Sequence, residues 1–275
     1  MNELGLDVLV IREWFPHEQD SPYVLIKVKE AHVSSWGTSI GLAVRRCYIT
    51  DDRLARRASD TGQSQSVIVA AVLPDPGAVM SGDFGEILGY LYQAAIVYPG
   101  QAFGPKKWRL KQDRNKPAPH SDLVQFLLPE WPRATSQDCI LCAEVKAKST
   151  PGASTPIASA LADCKKDRIS RLGRTLVWLK ERALLEDLRS VEIAQLDRFI
   201  HATEHPPALK LFRAIAVVSE ALAEAELQAV PQAIPAECTL IVMVVPDLYQ
   251  TYSAVFAAAK EALVIASATP PGQAP

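Results

Sequence analysis

Residues 139–146 read Cys-Ile-Leu-Cys-Ala-Glu-Val-Lys, an apolar strand sequence carrying one carboxylate and one ammonium. A strand alternates its side chains between two faces. Leu141, Ala143 and Val145 therefore point one way, and Glu144 and Lys146 the other. The apolar set packs on a core, leaving two charges side by side on a strand otherwise apolar enough to be buried. Charges in such a place are costly unless they are paired or hold a metal.

Asp122 joins this pair by topology. Residues 122–128, Asp-Leu-Val-Gln-Phe-Leu-Leu, read as a second strand, and the polar, proline-bearing connection 129–138 favours an antiparallel neighbour pair. With Leu128 opposite Cys139, Asp122 falls opposite Val145, and one end of the hairpin gathers Asp122, Glu144 and Lys146. Two carboxylates supply hard oxygen ligands for Mg²⁺, and a lysine beside them can orient or help deprotonate an attacking water. The expected chemistry is metal-assisted phosphodiester hydrolysis.

The 275 residues, 48% apolar and 22% charged, suit a globular α/β domain, or such a core with an appended helical part. The longest apolar runs, such as residues 240–245, are too short to cross a bilayer, and the acidic N-terminus lacks the basic start of a signal peptide. A cytoplasmic protein with no membrane association is expected. Five cysteines at irregular spacing argue against a disulfide framework. Cys139 and Cys142 form a CxxC, but i and i+3 of a strand face opposite sides and no second ligand pair follows at zinc-site spacing.

A net charge of −2 excludes a polycation that clings to nucleic acid unaided. Basic residues are nevertheless clustered. Lys106, Lys107, Arg109, Lys111, Arg114 and Lys116 face only Asp113, and a second cluster holds Lys165, Lys166, Arg168, Arg171 and Arg174. The first segment, with strand-like alternation at its centre, is expected to track DNA phosphates through Lys106, Lys107, Arg109 and Lys111; a solvated charged strand is the alternative. Asp163 and Asp167 partly neutralise the second cluster, which points to a mixed, structural role.

Strands are expected at 6–12 and 23–31, a helix over 38–57 that Asp51-Asp52 can break, and a buried strand at 66–73. A helix follows over 83–97, then the hairpin, then helices over 155–172 and 175–200. The C-terminal part alternates strand (209–218), helix (219–228), strand (239–245) and helix (248–266). The expected organisation is an N-terminal α/β segment, 1–80, offering a place for a partner; a nuclease-like core, 81–266; and a disordered tail, 267–275.

Glu86 fits a capping box, Asp83-Phe-Gly-Glu86, at a helix start. It also shares a stripe with Gly89, Tyr90 and Gln93, and a glycine beside a glutamate suggests close approach. For Glu144 and Lys146 the plain alternative is a surface ion pair on an edge strand. Glu86, Asp122 and Glu144-Val145-Lys146, followed by a helix, resemble the PD-(D/E)xK nuclease superfamily. Gly85-Glu86, the basic segment 106–116, Pro119-His-Ser-Asp122, Glu144-Val-Lys146, Ala162-Asp163 and Lys166-Asp167 are together similar to the nuclease subunit of the Hachiman anti-phage system.

That resemblance implies a restriction-endonuclease-like α/β core with a central mixed sheet flanked by helices. It implies a metal-dependent DNA nuclease acting with a superfamily 2 helicase. Asp122 and Glu144 would hold Mg²⁺, with Mn²⁺ able to substitute; Lys146 would assist the nucleophilic water, Glu86 would support the metal or water shell, and Lys148 would contact phosphate. The superfamily pattern places proline just before the aspartate, where this chain has Ser121. Two rivals remain open: a stand-alone restriction-type endonuclease, and a non-catalytic subunit that loads or restrains a helicase.

Overall fold

A computed structural model describes residues 1–185, 188 and 190–264. In chain order the elements are α1 (Val8–Glu13), β1 (His17–Gln19), β2 (Val24–Lys27), α2 (Glu30–Tyr48), α3 (Asp51–Thr61), α4 (Gln65–Val72) and α5 (Ala78–Ile96). β3 (Leu123–Leu127) and β4 (Cys139–Lys148) follow, then α6 (Pro156–Lys166), a π-helical turn (Asp167–Arg171), α7 (Leu172–Leu185) and α8 (Ile193–Ile200). β5 (Leu209–Ser219), α9 (Glu220–Gln228), β6 (Cys238–Val245) and α10 (Leu248–Glu261) complete the described chain. The tail expected to be disordered lies outside the described residues.

Among these residues the strands form one six-stranded mixed sheet, ordered β1-β2-β6-β5-β4-β3. Its interior pairs, β2–β6, β6–β5 and β5–β4, are parallel, and an antiparallel pair closes each edge. Central parallel strands must be apolar on both faces, because crossover helices cover both. β5 and β6 obey: Ile215, Val217, Ile241 and Met243 pack into the layer of α2, α5 and α10, whereas Ala214, Ala216, Val242 and Val244 pack under α6. α7 and α8 continue the second layer over Val124, Phe126, Ile140 and Cys142. β2 joins the sheet through β6, and the first layer's core runs from Leu4 to Ala259, so the first 80 residues share the core of the rest.

Two expected strands are helices. Residues 6–12 contain most of α1 and residues 66–73 most of α4. In both, a short apolar, β-branched run follows a residue that caps a helix. Asp7 accepts a hydrogen bond from the Leu9 amide (2.9 Å), and Ser64 accepts one from the Val67 amide (3.4 Å). The cap satisfies an amide that a helix start leaves unpaired. Only part of each run is buried, Ile11 in one and Ile68 and Val69 in the other, as a helix face requires. Asp51-Asp52 does separate two helices, as the first turn of α3 capped by Thr50.

α5 begins at Ala78, behind Gly77, five residues before the expected start. Glu86 therefore lies in mid-helix and the capping-box reading falls. The glycine stripe instead brings α5 onto the sheet. A Cβ at Gly89 would lie 3.0 Å from Leu123 Cδ1 and 3.2 Å from Ile215 Cδ1, and one at Gly85 3.3 Å from the Ala147 Cβ. Cys164 of α6 and Cys238 of β6 form a disulfide, where the cysteine count argued for none. The pairing depends on α6 lying over β6, which a separation of 74 residues conceals. Cys47, Cys139 and Cys142 are free and buried, with Cys139 and Cys142 in different clusters.

Gly89→Val should destabilise the chain by about 1–3 kcal/mol, because added methyl groups must displace Leu123 and Ile215 in a packed interior. Urea unfolding would show this as a lower midpoint at unchanged slope.

Candidate active site

β3 and β4 pair antiparallel with Leu127 opposite Cys139 and Leu123 opposite Ala143. The register is one residue from the expected one, and it carries Asp122 to Glu144 rather than to Val145. At this end of the ladder side chains replace backbone partners. The Asp122 amide donates to Glu144 Oε1 (3.1 Å), and the Val145 amide donates to Asp122 Oδ2 (2.8 Å). Glu144 is fully buried, although it is a carboxylate on a strand. Lys146 Nζ lies 3.3 Å from Glu144 Oε2, 3.5 Å from Asp122 Oδ2 and 3.0 Å from Asp163 Oδ2. The expected trio is therefore assembled, buried at its base and open at the lysine.

The helical layer completes the site. α6 and the π turn present Asp163, Asp167 and Arg171, spaced four residues apart, toward the end of β4. Arg171 Nη1 lies 3.4 Å from Glu144 Oε2, and its Nε lies 2.9 Å from Asp167 Oδ1. Single π turns interrupting an α-helix are frequent at functional sites. Ser121, where the superfamily pattern has proline, is fully buried. Its hydroxyl donates to Asp167 Oδ1 (2.8 Å) and bonds Thr175 Oγ1 (2.9 Å), while its amide donates to Thr175 Oγ1 (3.2 Å). The serine thus ties the residue before Asp122 to the π turn, a link proline could not make. Asp163 and Asp167 pair with Arg171, as the mixed, structural role expected for the second basic cluster requires; the contact of Arg171 with Glu144 adds to that role.

Electrostatics follow from burial. Desolvation, with Asp122 and Asp167 close by, pushes the Glu144 carboxyl up to about 9, against the pull of Lys146 and Arg171. Glu86, on α5, is driven well above the ordinary range by burial and then by Asp122 and Asp83. It makes no hydrogen bond or ion pair among the described residues. Asp163 keeps its charge: desolvation opposes it, but Lys166, Lys146 and Arg171 hold it down to about 2. The carboxylates raise Lys146 despite its own desolvation, so it stays an ammonium. Burial lowers Lys107, while Glu86, Asp122 and Glu144 act to raise it.

The segment 105–116 departs from expectation. Its centre, Lys107–Leu110, is a 3-10 turn, not a strand, and its cations turn inward. Lys106 Nζ meets Glu3 Oε2 (3.0 Å) and Tyr90 Oη (2.9 Å). Lys107 donates to the Ser121 carbonyl. Arg109 engages Glu3 and the Arg46 carbonyl. Lys111 grips Asp83 (2.6 Å), which also accepts from Tyr48 (2.5 Å). Lys148 is likewise held by Glu226 and the Ser154 carbonyl, both at 2.7 Å. These five side chains do not form a stripe facing phosphate; they anchor α5, the N-terminus and α9 around the site.

Asp122 and Glu144 each commit one oxygen to an amide. Glu144 Oε2 faces Lys146 (3.3 Å) and Arg171 (3.4 Å), so a cation held by Asp122 and Glu144 would share that oxygen with them. Two hard oxygens suit Mg²⁺, which uses one or two carboxylates and completes its octahedron with water and substrate phosphate. Among the described residues no group of three or more His, Cys, Asp or Glu side chains is placed to hold a metal ion, so protein ligands alone would number two. A carboxyl forced toward neutrality by burial and two like charges is relieved by a cation, so the donor set fits.

A six-stranded mixed sheet flanked by helices, with an acidic pair and a lysine at the end of an edge hairpin, is an α/β fold consistent with a nuclease-like core. The model of the HamA family matches residues 9–259. The chain belongs to the HamA family and is a protein of the Hachiman defence system. No curated protein matches it. No helix among the described residues is long and apolar enough to cross a membrane.

Glu144 gives the fold a pH dependence of determinate sign. Its carboxyl titrates higher folded than unfolded, so the folded state binds the extra proton between about pH 4.5 and 9. Without divalent cations, stability should fall as pH rises through that window, by about 1.4 kcal/mol per unit at most from one such group. Glu144→Gln should flatten this slope. Urea midpoints measured in chelator from pH 5 to 9 would check it; a slope identical in both proteins would contradict the assignment.

Proposed function

We propose that this chain is the DNA nuclease effector of its Hachiman complex, acting with a superfamily 2 helicase. The observation that carries the reading is a wholly buried glutamate, Glu144, which accepts a hydrogen bond from the Asp122 amide and is faced by the ammonium of Lys146 at the open end of a hairpin. Burying a carboxylate against other carboxylates costs stability, and apolar replacement is often neutral or better. A chain that retains such a group at an accessible edge is using it.

Asp122 and Glu144 would hold Mg²⁺, or Mn²⁺ in its place. When bound, the ion would supply Lewis-acid polarisation of the phosphate and a lower pKa for water. Lys146, kept protonated by its three carboxylate neighbours, serves as a fixed positive charge and hydrogen-bond donor. It can orient the nucleophile and stabilise charge on the transition-state oxygens. The amide bonds that lock Asp122 and Glu144 fix the geometry before substrate arrives. Glu86, desolvated on the other side of Asp122, can hold a water. Ser121, Asp167 and Arg171 keep Glu144 in register from the helical side.

Asp122→Asn and Lys146→Ala should each lower DNA cleavage by about 100-fold or more, in line with removal of a preorganised transition-state contact. Circular dichroism should stay unchanged. Chelator should abolish cleavage by the parent, and Mg²⁺ or Mn²⁺ should restore it. Folded variants that both cut like the parent would place the chemistry elsewhere. A tagged chain should co-purify with a helicase and cut little without it. Full degradation of DNA by the isolated monomer, independent of ATP, would favour the stand-alone endonuclease instead.

A further inference from the structure

With Lys106, Lys107, Arg109 and Lys111 turned inward, a nuclease reading still requires a path for the substrate. α7 supplies one. Arg174, Trp178 and Arg182 follow one another at intervals of four residues, and so share a face of the helix. Arg171 precedes Arg174 by three residues and reaches Glu144. From Arg171 to Arg182 the stripe extends roughly 16 Å at the helical rise. Against it lies the chain 110–119, and between them opens a cleft of about 300 Å³ lined by Trp178, Arg182, Lys116, Pro117 and Pro119.

Buried contacts join the wall of the cleft to the site. Thr175, one turn before Trp178, is bonded to Ser121, and Lys107 reaches both the Ser121 carbonyl and the Trp178 ring, 5.8 Å from its centroid. His120, exposed at the lip with a φ of 68°, sets its ring 5.9 Å from that of Trp178. Left-handed backbone at a residue other than glycine is costly and concentrates at functional sites. Arg182 lies 5.8 Å from the Trp178 centroid, and its buried Nε has no hydrogen-bond partner among the described residues. Arg174 is exposed and bonds the Ser170 hydroxyl (3.2 Å). The acidic residue lining the cleft, Asp113, is paired with Lys116 (3.5 Å).

We infer that the cleft between α7 and residues 110–119 binds one strand of nucleic acid, with Arg174 and Arg182 on its phosphates and Trp178 against a base or sugar, and delivers it to Asp122 and Glu144. This rests on the nuclease reading above and names its substrate path. Arginines interleaved with an aromatic ring are what sequence-tolerant binding of a single strand uses. A cleft walled by one helix and one loop is sized for one strand.

The test is binding of fluorescein-labelled 20-nucleotide single strands of two unrelated sequences to the full chain, in chelator, at several salt concentrations. Arg174→Glu with Arg182→Glu should weaken both strands alike by tenfold or more. It should also reduce the log–log salt slope by roughly 0.7 per lost contact. Trp178→Ala should weaken binding by roughly tenfold and leave the slope intact. Arg56→Glu with Arg57→Glu, on the distant α3, should change little. Arg174→Glu alone, at an exposed position, keeps the test valid if the double variant misfolds. Parent-like affinity and slope in the folded α7 variants would overturn the inference and leave the nuclease reading standing. So would charge reversal that releases a protein partner while strand binding persists, since the cleft would then be a protein interface. A parent that binds neither strand nor duplex at low salt would count against the nuclease reading itself.

Discussion

The arrangement depends on keeping one carboxylate, Glu144, out of water. Burial alone drives its carboxyl toward neutrality, and Asp122 and Asp167 push the same way. Four groups make the position tenable: the Asp122 amide, the Lys146 ammonium, the Arg171 guanidinium and the packing of β4 between two helical layers. Removing one partner of such a buried set typically costs about 3–5 kcal/mol, because the remaining charge is left uncompensated. The surroundings of Glu144 are therefore constrained more tightly than ordinary core. The one-residue register of the hairpin, the π turn and the serine before Asp122 all serve that constraint.

The two helical layers approach this point differently. α5 comes close because Gly85 and Gly89 present no side chain to Val145, Ala147 and Ile215. That approach sets Glu86 against Asp122 on one side of the hairpin end. The π turn comes close because Ser121 and Thr175 pin it to the start of β3, which sets Asp167 and Arg171 against Glu144 on the other. One layer contributes a carboxyl with no direct partner, the other a paired cation. The acidic pair held between them is most open at Lys146.

Much of this was legible in residue order. The Glu-x-Lys on an apolar strand and the aspartate at the head of its partner follow from alternation and turn chemistry; the mixed α/β core follows from the family resemblance. The fate of the basic segment 105–116 did not. Charge density predicts a solvated or phosphate-facing stripe, but Glu3, Asp83 and the Arg46 carbonyl draw its cations inward, and those partners are distant in sequence. α1 and α4 were misread for a local reason: β-branched composition outweighed the caps Asp7 and Ser64. The caps were visible and carried the right answer.

What the sequence by itself determined is the chemistry available: which carboxylates and which lysine share the end of one antiparallel hairpin. These depend on periods of two and on neighbours within a hairpin, where chain geometry leaves little freedom. Only the tertiary structure decided the state of those groups. Whether a lysine faces solvent or an aspartate 28 residues away, as Lys111 does with Asp83, is set by how helices settle on the sheet. The disulfide between Cys164 and Cys238 and the contact of Arg171 with Glu144 were decided in the same way. Burial and long-range pairing have no period along the chain, so they emerge only when the layers close.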